Sequence, residues 1–386
     1  MRKLMALLLL VTAALLVAAP AWAEEDFSLD DVLSGLDDEL VNTIVISQVE
    51  QEDGTIVQEI VEKPIYEADG SILITLTATG DFTIGGDSRK STSIFDNELK
   101  KQGGDINFTM RNVRDILLDD DLTIVNFEGT LTNSTYVPAE KRENSFLFSA
   151  PPEYVSMLSD NGIEAVSLEN NHVMDHGEDA YVDTQKALDG AGTVWSNSTT
   201  LGVIEVKGVE IAMLSYLCID RYDSLWDKVP ADIAAAKEKY PIVIVSFHWG
   251  NEKDYAPTNN QVKMGRLAVD AGADLVLGHH SHRLNPIEQY KGVYICYSLG
   301  NFCFAGNNKP DDMTSFMFQT RFRVRDGEVS NEGFRIIPIR ISSTKSYNDF
   351  APTPLTDDTA IDTVMTTLKS NGKKLEYAVE TYPLSW

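Results

Sequence analysis

From residue 71 onward, short apolar and β-branched runs alternate with segments whose apolar positions recur at helical spacing. The runs cover residues 72–79, 122–127, 165–168, 211–217, 242–247, 275–277 and 293–298, and each predicts a strand. Helical patterns fall between them. They cover residues 108–118, 151–158 with prolines suited to a first turn, 178–188 ending at Gly190, 232–240, and 260–271 stopping at Gly272. Strands alternating with helices predict an α/β sheet with helices packed outside it. Further on the pattern changes: residues 315–324 and 333–341 alternate or run apolar about a turn at Asp326 and Gly327, which predicts antiparallel strands. The sheet is therefore mixed, or there are two sheets. A helix over residues 359–369 closes the chain.

The first 70 residues obey other rules. Residues 1–23 read as an export signal: Arg2 and Lys3, an apolar run over residues 4–19, then Pro20 and the small-x-small end Ala21, Trp22, Ala23, with cleavage expected after Ala23. The run is short for a spanning helix, which needs about 20 residues, although an uncleaved anchor is the alternative. Residues 24–70 hold fifteen Asp or Glu against one Lys and read as a solvated, disordered lead-in. Within it, β-rich runs at residues 43–47 and 55–60 flank a turn-like Glu52, Asp53 and Gly54 and allow a hairpin. The globular domain is then residues 71–345, and residues 346–386 form a C-terminal extension with a helix.

With 32 basic against 59 acidic residues the net charge is −27, which argues against nucleic acid or an anionic membrane as partner. Three cysteines, Cys218, Cys296 and Cys303, lie in or beside apolar runs without metal spacing and read as buried thiols.

The polar residues at the strand ends carry the most information. Gly80 and Asp81 come after the first strand; Asn126, Phe127 and Glu128 close the second; Glu169, Asn170, Asn171 and His172 come after the third. Later strands end in His248, Trp249 and Gly250, in Gly278, His279, His280, Ser281 and His282, and in Ser298, Leu299, Gly300 and Asn301. Ligand sites in α/β sheets form at the carboxyl ends of strands, so six strands deliver polar groups to one edge. All six histidines of the chain, His172, His176, His248, His279, His280 and His282, fall in three of these clusters. Taken singly, Asp81 is a turn or cap residue, Glu128 a surface acid, Asn170 and Asn171 turn residues, and His248 a packed histidine. Jointly they supply the mixed imidazole and carboxylate donors of a divalent metal site, with His280 and His282 the strongest single signal.

These motifs, in this order over residues 73–304, resemble the CapA family of poly-γ-glutamate capsule biosynthesis proteins. That family is similar to the calcineurin-like metallophosphoesterases, which implies a four-layer αββα sandwich of two mixed sheets and a dinuclear centre. By position the resemblance implies Asp81, Glu128, Asn171, His248, His280 and His282 as metal ligands, Glu128 bridging, and His172 as the catalytic acid that assists the leaving group. Asn126, Asn170, His176, Trp249, Glu252, His279 and Asn301 are expected to touch those ligands or the substrate. Thr83 stands where the wider superfamily has a histidine, which leaves one metal position with fewer nitrogen ligands.

The implied function is exported, metal-dependent hydrolase-type chemistry in making or processing poly-γ-glutamate, with one or two Mn, Fe or Zn ions. The implied partners are an anionic γ-glutamyl polymer and components of a membrane-bound synthase. Two alternatives stay open: an exported phosphoesterase on small phosphate esters, and a non-catalytic partner of the synthase in which the metal is structural. A chain at −27 repels a polyanion, so Lys141, Arg142 or Arg283 is expected to supply local positive charge.

Overall fold

The computed structural model describes residues 44–50, 56–62, 65–87, 89–90, 93–141, 146–219 and 222–386. Two compact units divide the chain, Met1–Ile65 and Tyr66–Trp386. In the first, β1 (Ile44–Glu50) and β2 (Ile56–Glu62) pair antiparallel, from Ile44 opposite Glu62 to Glu50 opposite Ile56. This is the hairpin allowed by the two β-rich runs; its turn, the export signal and Arg142 lie outside the described residues. No helix among the described residues is long and apolar enough to cross a membrane.

In the second unit the strands run in chain order as β3 (Ile72–Thr83), β4 (Leu122–Phe127), β5 (Thr130–Leu131), β6 (Ser149–Ala150), β7 (Ala165–Ser167), β8 (Val194–Ser196) and β9 (Gly202–Val206). They continue as β10 (Val209–Cys218), β11 (Ile242–Trp249), β12 (Leu275–His279), β13 (Ile287–Tyr290), β14 (Val293–Cys296), β15 (Asn301–Phe304), β16 (Thr314–Arg325), β17 (Glu328–Arg340) and β18 (Thr353–Pro354). One sheet has the order β18-β17-β16-β3-β4-β7-β8, with β15 also beside β3; the other has the order β13-β14-β12-β11-β10-β9. In the first, β3, β4, β7 and β8 are parallel while β16 and β17 run antiparallel. In the second, β10, β11, β12 and β14 are parallel between antiparallel edges β9 and β13. Both sheets are mixed.

Alternation along each strand sorts the apolar residues into layers. Ile74, Leu76 and Ala78 of β3, Leu122 and Ile124 of β4, Ile242 and Ile244 of β11, and Leu275 and Leu277 of β12 share one core between the sheets. Their neighbours point outward: Val125 and Phe127 enter a second core, and Val243, Val245, Phe247 and Val276 a third. Helices cover these outer faces. α1 (Ile94–Lys101), α2 (Arg114–Asp119), α3 (Ser156–Ser159) and α4 (Gly177–Gly190) contribute Phe95, Leu117, Met157, Leu158 and Leu188 to the second core. α5 (Leu225–Lys237) and α6 (Asn259–Asp270) contribute Val229, Ile233, Met264 and Ala268 to the third. The result is the four-layer αββα sandwich expected. α7 (Asp358–Gly372) inserts Val364 and Leu368 into the central core, and Tyr382 joins them there, so the residues after 345 belong to the same compact unit.

Local sequence explains where elements depart from the periodic pattern. The segment 108–118 divides into a 3₁₀ turn, Ile106–Thr109, and α2, while 151–158 divides into a 3₁₀ turn, Pro152–Val155, and α3. α5 begins ahead of residue 232 and contains Pro230, the sixth residue of the helix, where proline removes one i→i−4 hydrogen bond. α1 is short and mostly polar, and is set by Ser93, whose hydroxyl accepts the N–H of Asp96. All three cysteines are buried and free.

Candidate metal centre

A one-residue irregularity in β3 builds the site. β3 and β4 pair regularly to Ala78 opposite Ile124 and resume at Asp81 opposite Asn126. The extra residue reverses the alternation: Phe82 now enters the outer core, and Asp81 turns the other way, to meet His279 of β12. Gly80 sits at the irregularity because a Cβ there would lie 2.1 Å from the carbonyl oxygen of Gly300, which also accepts the Asp81 N–H at 2.9 Å. β11 and β12 place His248 and His279 at paired positions on the facing edge.

Asp81, Glu128 and His282 each offer a ligand atom, all within 4.8 Å of one another. Asp81 is fully buried; its Oδ1 accepts from Asn126 Nδ2 at 2.8 Å and lies 3.5 Å from His279 Nδ1, while its Oδ2 lies 3.1 Å from His282 Nδ1. Glu128 Oε2 accepts from Thr83 Oγ1 at 3.0 Å, and its Oε1 lies 3.7 Å from His248 Nε2 and 3.9 Å from His172 Nε2. Thr83 thus steadies the expected bridging carboxylate. His248 and His280 have ring centroids 4.6 Å apart, and Asn301 Oδ1 pairs with His282 Nδ1 at 2.8 Å. Asn126 Nδ2 also reaches His248 Nδ1 at 3.2 Å, and its Oδ1 accepts from Asn170 Nδ2 at 3.2 Å, so the two asparagines frame the cluster. His280 and His282 both adopt positive φ, 88° and 54°, a costly backbone for non-glycine residues at about 1–3 kcal/mol each. Ser281 between them accepts the Lys253 N–H at its carbonyl and donates its hydroxyl to the Arg283 carbonyl, which holds the loop.

Charge separates cleanly here. Burial opposes ionisation of Asp81, but His279 and His282 outweigh it and hold its carboxyl well below the usual range. Burial likewise works against a charged His282, yet Glu128 and Asp81 push it up to about 9. Burial and then Asp81 raise Glu128. Burial first, and neighbouring imidazoles next, lower His248 well below its ordinary value and His280 to about 4. Ionised Asp81 and neutral His248 and His280 are in the protonation states that ligate metal, whereas His282 gives up its proton when it ligates.

The donor set fits a divalent ion. Among the described residues, thirteen buried side-chain nitrogen or oxygen atoms have no hydrogen-bond partner, and seven belong to this cluster: Asp81 Oδ2, Glu128 Oε1, Asn171 Oδ1, His248 Nε2, both ring nitrogens of His279, and His280 Nδ1. Buried polar atoms are ordinarily paired, so this concentration of orphans, in which His279 has one lone pair to offer because its other ring nitrogen carries a proton, calls for a cation. His279 has the same standing in this set as its loop neighbours.

The remaining expected residues divide. His172 lies at the edge of the cluster, its Nδ1 2.8 Å from Asp175 Oδ2 and its ring edge-on to Phe148. Asp175 has no counterpart in the sequence expectations, although it comes one helical turn after His172. Trp249 is corrected: it is fully buried in the outer core, stacks on Phe247 and donates to the Tyr297 carbonyl at 2.9 Å. His248 and Trp249 are consecutive in a strand and must face opposite ways. His176 is buried with Nδ1 against the Tyr136 carbonyl, and Glu252 is exposed, reaching the cluster only through its field at His280. Lys141 pairs with Asp175 at 2.9 Å and Arg283 with Asp311 at 2.8 Å.

The family model described as bacterial capsule synthesis protein PGA_cap matches residues 75–306. The chain is similar to the PGA biosynthesis protein CapA of Bacillus subtilis, 32% identical over 264 residues, 63% of this chain and 66% of that protein. It is similar also to the capsule biosynthesis protein CapA of Bacillus anthracis, 31% identical over 254 residues, 60% of each chain. These matches span 66% and 60% of the relatives' own length. Among solved structures, the calcineurin-like phosphoesterase YfkN from Bacillus subtilis aligns with a TM-score of 0.41 and 14% identity, covering 78% of this chain and 100% of that one.

Proposed function

This chain belongs to the bacterial capsule synthesis protein PGA_cap family, and on that footing we propose that it is an exported protein that makes or processes poly-γ-glutamate through a metal-dependent hydrolytic site. The observation that carries the reading is the convergence of Asp81, Glu128 and His282 among seven orphaned buried donor atoms. Asp81, Glu128, Asn171, His248, His280 and His282, with His279 beside them, would hold a divalent ion, which would supply Lewis acidity to lower the pKa of water and polarise the carbonyl under attack.

The protein's own residues complete the chemistry. Asn126 and Asn170 fix the carboxylate and imidazole donors; Thr83 and the cluster itself orient Glu128. His172, anchored through Nδ1, keeps Nε2 on the Glu128 side and gives its proton to the departing nitrogen as the C–N bond breaks and the C–O bond forms. Asp175 stabilises the positive charge that His172 carries before that transfer.

Purified protein is incubated with poly-γ-glutamate and, separately, with a nitrophenyl phosphate, each with and without chelator. Chelator-sensitive release of new amino termini from the polymer supports the proposal. Release from the phosphate ester alone supports a phosphoesterase, and metal-bound protein inert on both supports a structural partner of a synthase.

A further inference from the structure

Beside the donor cluster lies a buried ion pair that metal binding does not use. Asp175 is fully buried, and both its oxygens are engaged: Oδ2 accepts the Phe148 N–H at 2.9 Å and faces His172 Nδ1 at 2.8 Å, while Oδ1 accepts from Lys141 Nζ at 2.9 Å. The same ammonium donates to the Asn171 carbonyl at 2.9 Å. Lys141 ends the 3₁₀ turn Ala139–Lys141, in the segment between β5 and β6, and its side chain is about a quarter exposed.

We propose that Lys141 and Asp175 are positioning residues that fix the His172 ring and the Asn171 main chain as one unit, so that a lysine touching neither metal nor substrate governs proton donation. The inference rests on the hydrolytic reading above. A lone imidazole can exchange its proton between Nδ1 and Nε2 and turn about its bond to Cβ; a carboxylate fixed at Nδ1 removes both freedoms. Asp175 can do this only while its own carboxylate is held. Three donors from three separate segments hold it, and among the described residues the donor to Oδ1 is Lys141. Without Lys141, Oδ1 is a buried, unpaired carboxylate oxygen, which drives the group to turn or to find another donor. The Asn171 carbonyl loses its donor in the same step, although the Asn171 side chain is untouched.

The test reads ring geometry and turnover separately. Full-length protein labelled with ¹⁵N-histidine and treated with chelator is examined by two-bond ¹⁵N–¹H correlation, the His172 signal being identified by its loss in His172→Asn. Wild type and Lys141→Arg should show one His172 species protonated at Nδ1, and Lys141→Met a mixture of tautomers. On an unactivated γ-glutamyl amide, kcat of Lys141→Met should fall about 10–100-fold with KM and metal per chain unchanged, and Lys141→Arg should recover most of the loss. A Lys141→Met protein with the wild-type signal and wild-type kcat overturns the proposal. If Lys141→Met misfolds by circular dichroism, Lys141→Met combined with Asp175→Leu removes both buried charges; tautomer mixing there supports the proposal, and a persistent Nδ1 proton overturns it. If wild type turns nothing over, the hydrolytic reading fails while the spectra still decide the positioning claim.

Discussion

Asn126→Asp replaces one amide nitrogen with an oxygen at a fully buried position and so tests the electrostatics of the cluster without opening a cavity. Asn126 Nδ2 donates to Asp81 Oδ1 at 2.8 Å, so the change converts that hydrogen bond into a contact between acceptors. Two unit charges 2.8 Å apart repel by about 6 kcal/mol at an effective dielectric constant of ~20. The pair escapes by keeping one proton, which costs about 1.4 kcal/mol for each pH unit above an ordinary Asp value near ~3.9. The penalty to the chelator-treated protein is therefore about 6 kcal/mol near pH ~8 and about 2 kcal/mol near pH ~5.5. Linkage fixes the sign. The new carboxyl titrates higher folded than unfolded, so the folded state binds the extra proton and loses stability as pH rises. His282 offers no relief, because its charge is already matched to Asp81 and Glu128. Urea denaturation of chelator-treated wild type and variant at the two pH values measures the difference. A penalty below about 1 kcal/mol near pH ~8, or one independent of pH, refutes the placement of the Asn126 amide against an ionised Asp81.

Three further outcomes are expected. His280→Ala and His282→Ala should each lower bound metal per chain, by elemental analysis, with little change in circular dichroism, because the loop that carries them contributes less packing than the strands. His172→Asn should keep its metal yet slow turnover by roughly 10²–10⁴-fold, and the loss should shrink when the leaving group is a nitrophenolate that departs without a proton; equal losses would assign His172 to orientation or charge stabilisation. The mature chain should begin at Glu24, and N-terminal sequencing of the exported fraction checks it; a chain still beginning at Met1 and released only by detergent would identify an anchor.

Much of the site is legible in the sequence because parallel strands deliver their carboxyl ends to one edge. A run of apolar residues ending in Asp81, Glu128, Asn171, His248 or His282 already says where that side chain goes. What the pattern hides is parity. The extra residue in β3, which turns Asp81 toward β12 and Phe82 toward the outer core, leaves no mark in composition beyond Gly80. Parity also decides Trp249: strict alternation from His248 sends it to the outer core, and proximity in sequence is a poor guide within a strand. Asp175 and Lys141 escape notice for another reason. An Asp three residues after His172 is unremarkable until folding closes the separation of 34 residues between it and Lys141. The helices show a similar limit: α1 is too short and polar for periodicity to reveal, and Pro230 masks the first turns of α5.

The central claim is that the strand-end cluster is a divalent metal centre. Elemental analysis of the purified chain, before and after dialysis against chelator and beside an Asp81→Ala variant, tests it most directly. The expected result is about one or two divalent transition ions per wild-type chain, removed by chelator and depleted in the variant. Wild-type protein that is folded by circular dichroism and takes up no such ion, even when Mn, Fe or Zn is offered in excess, would contradict it.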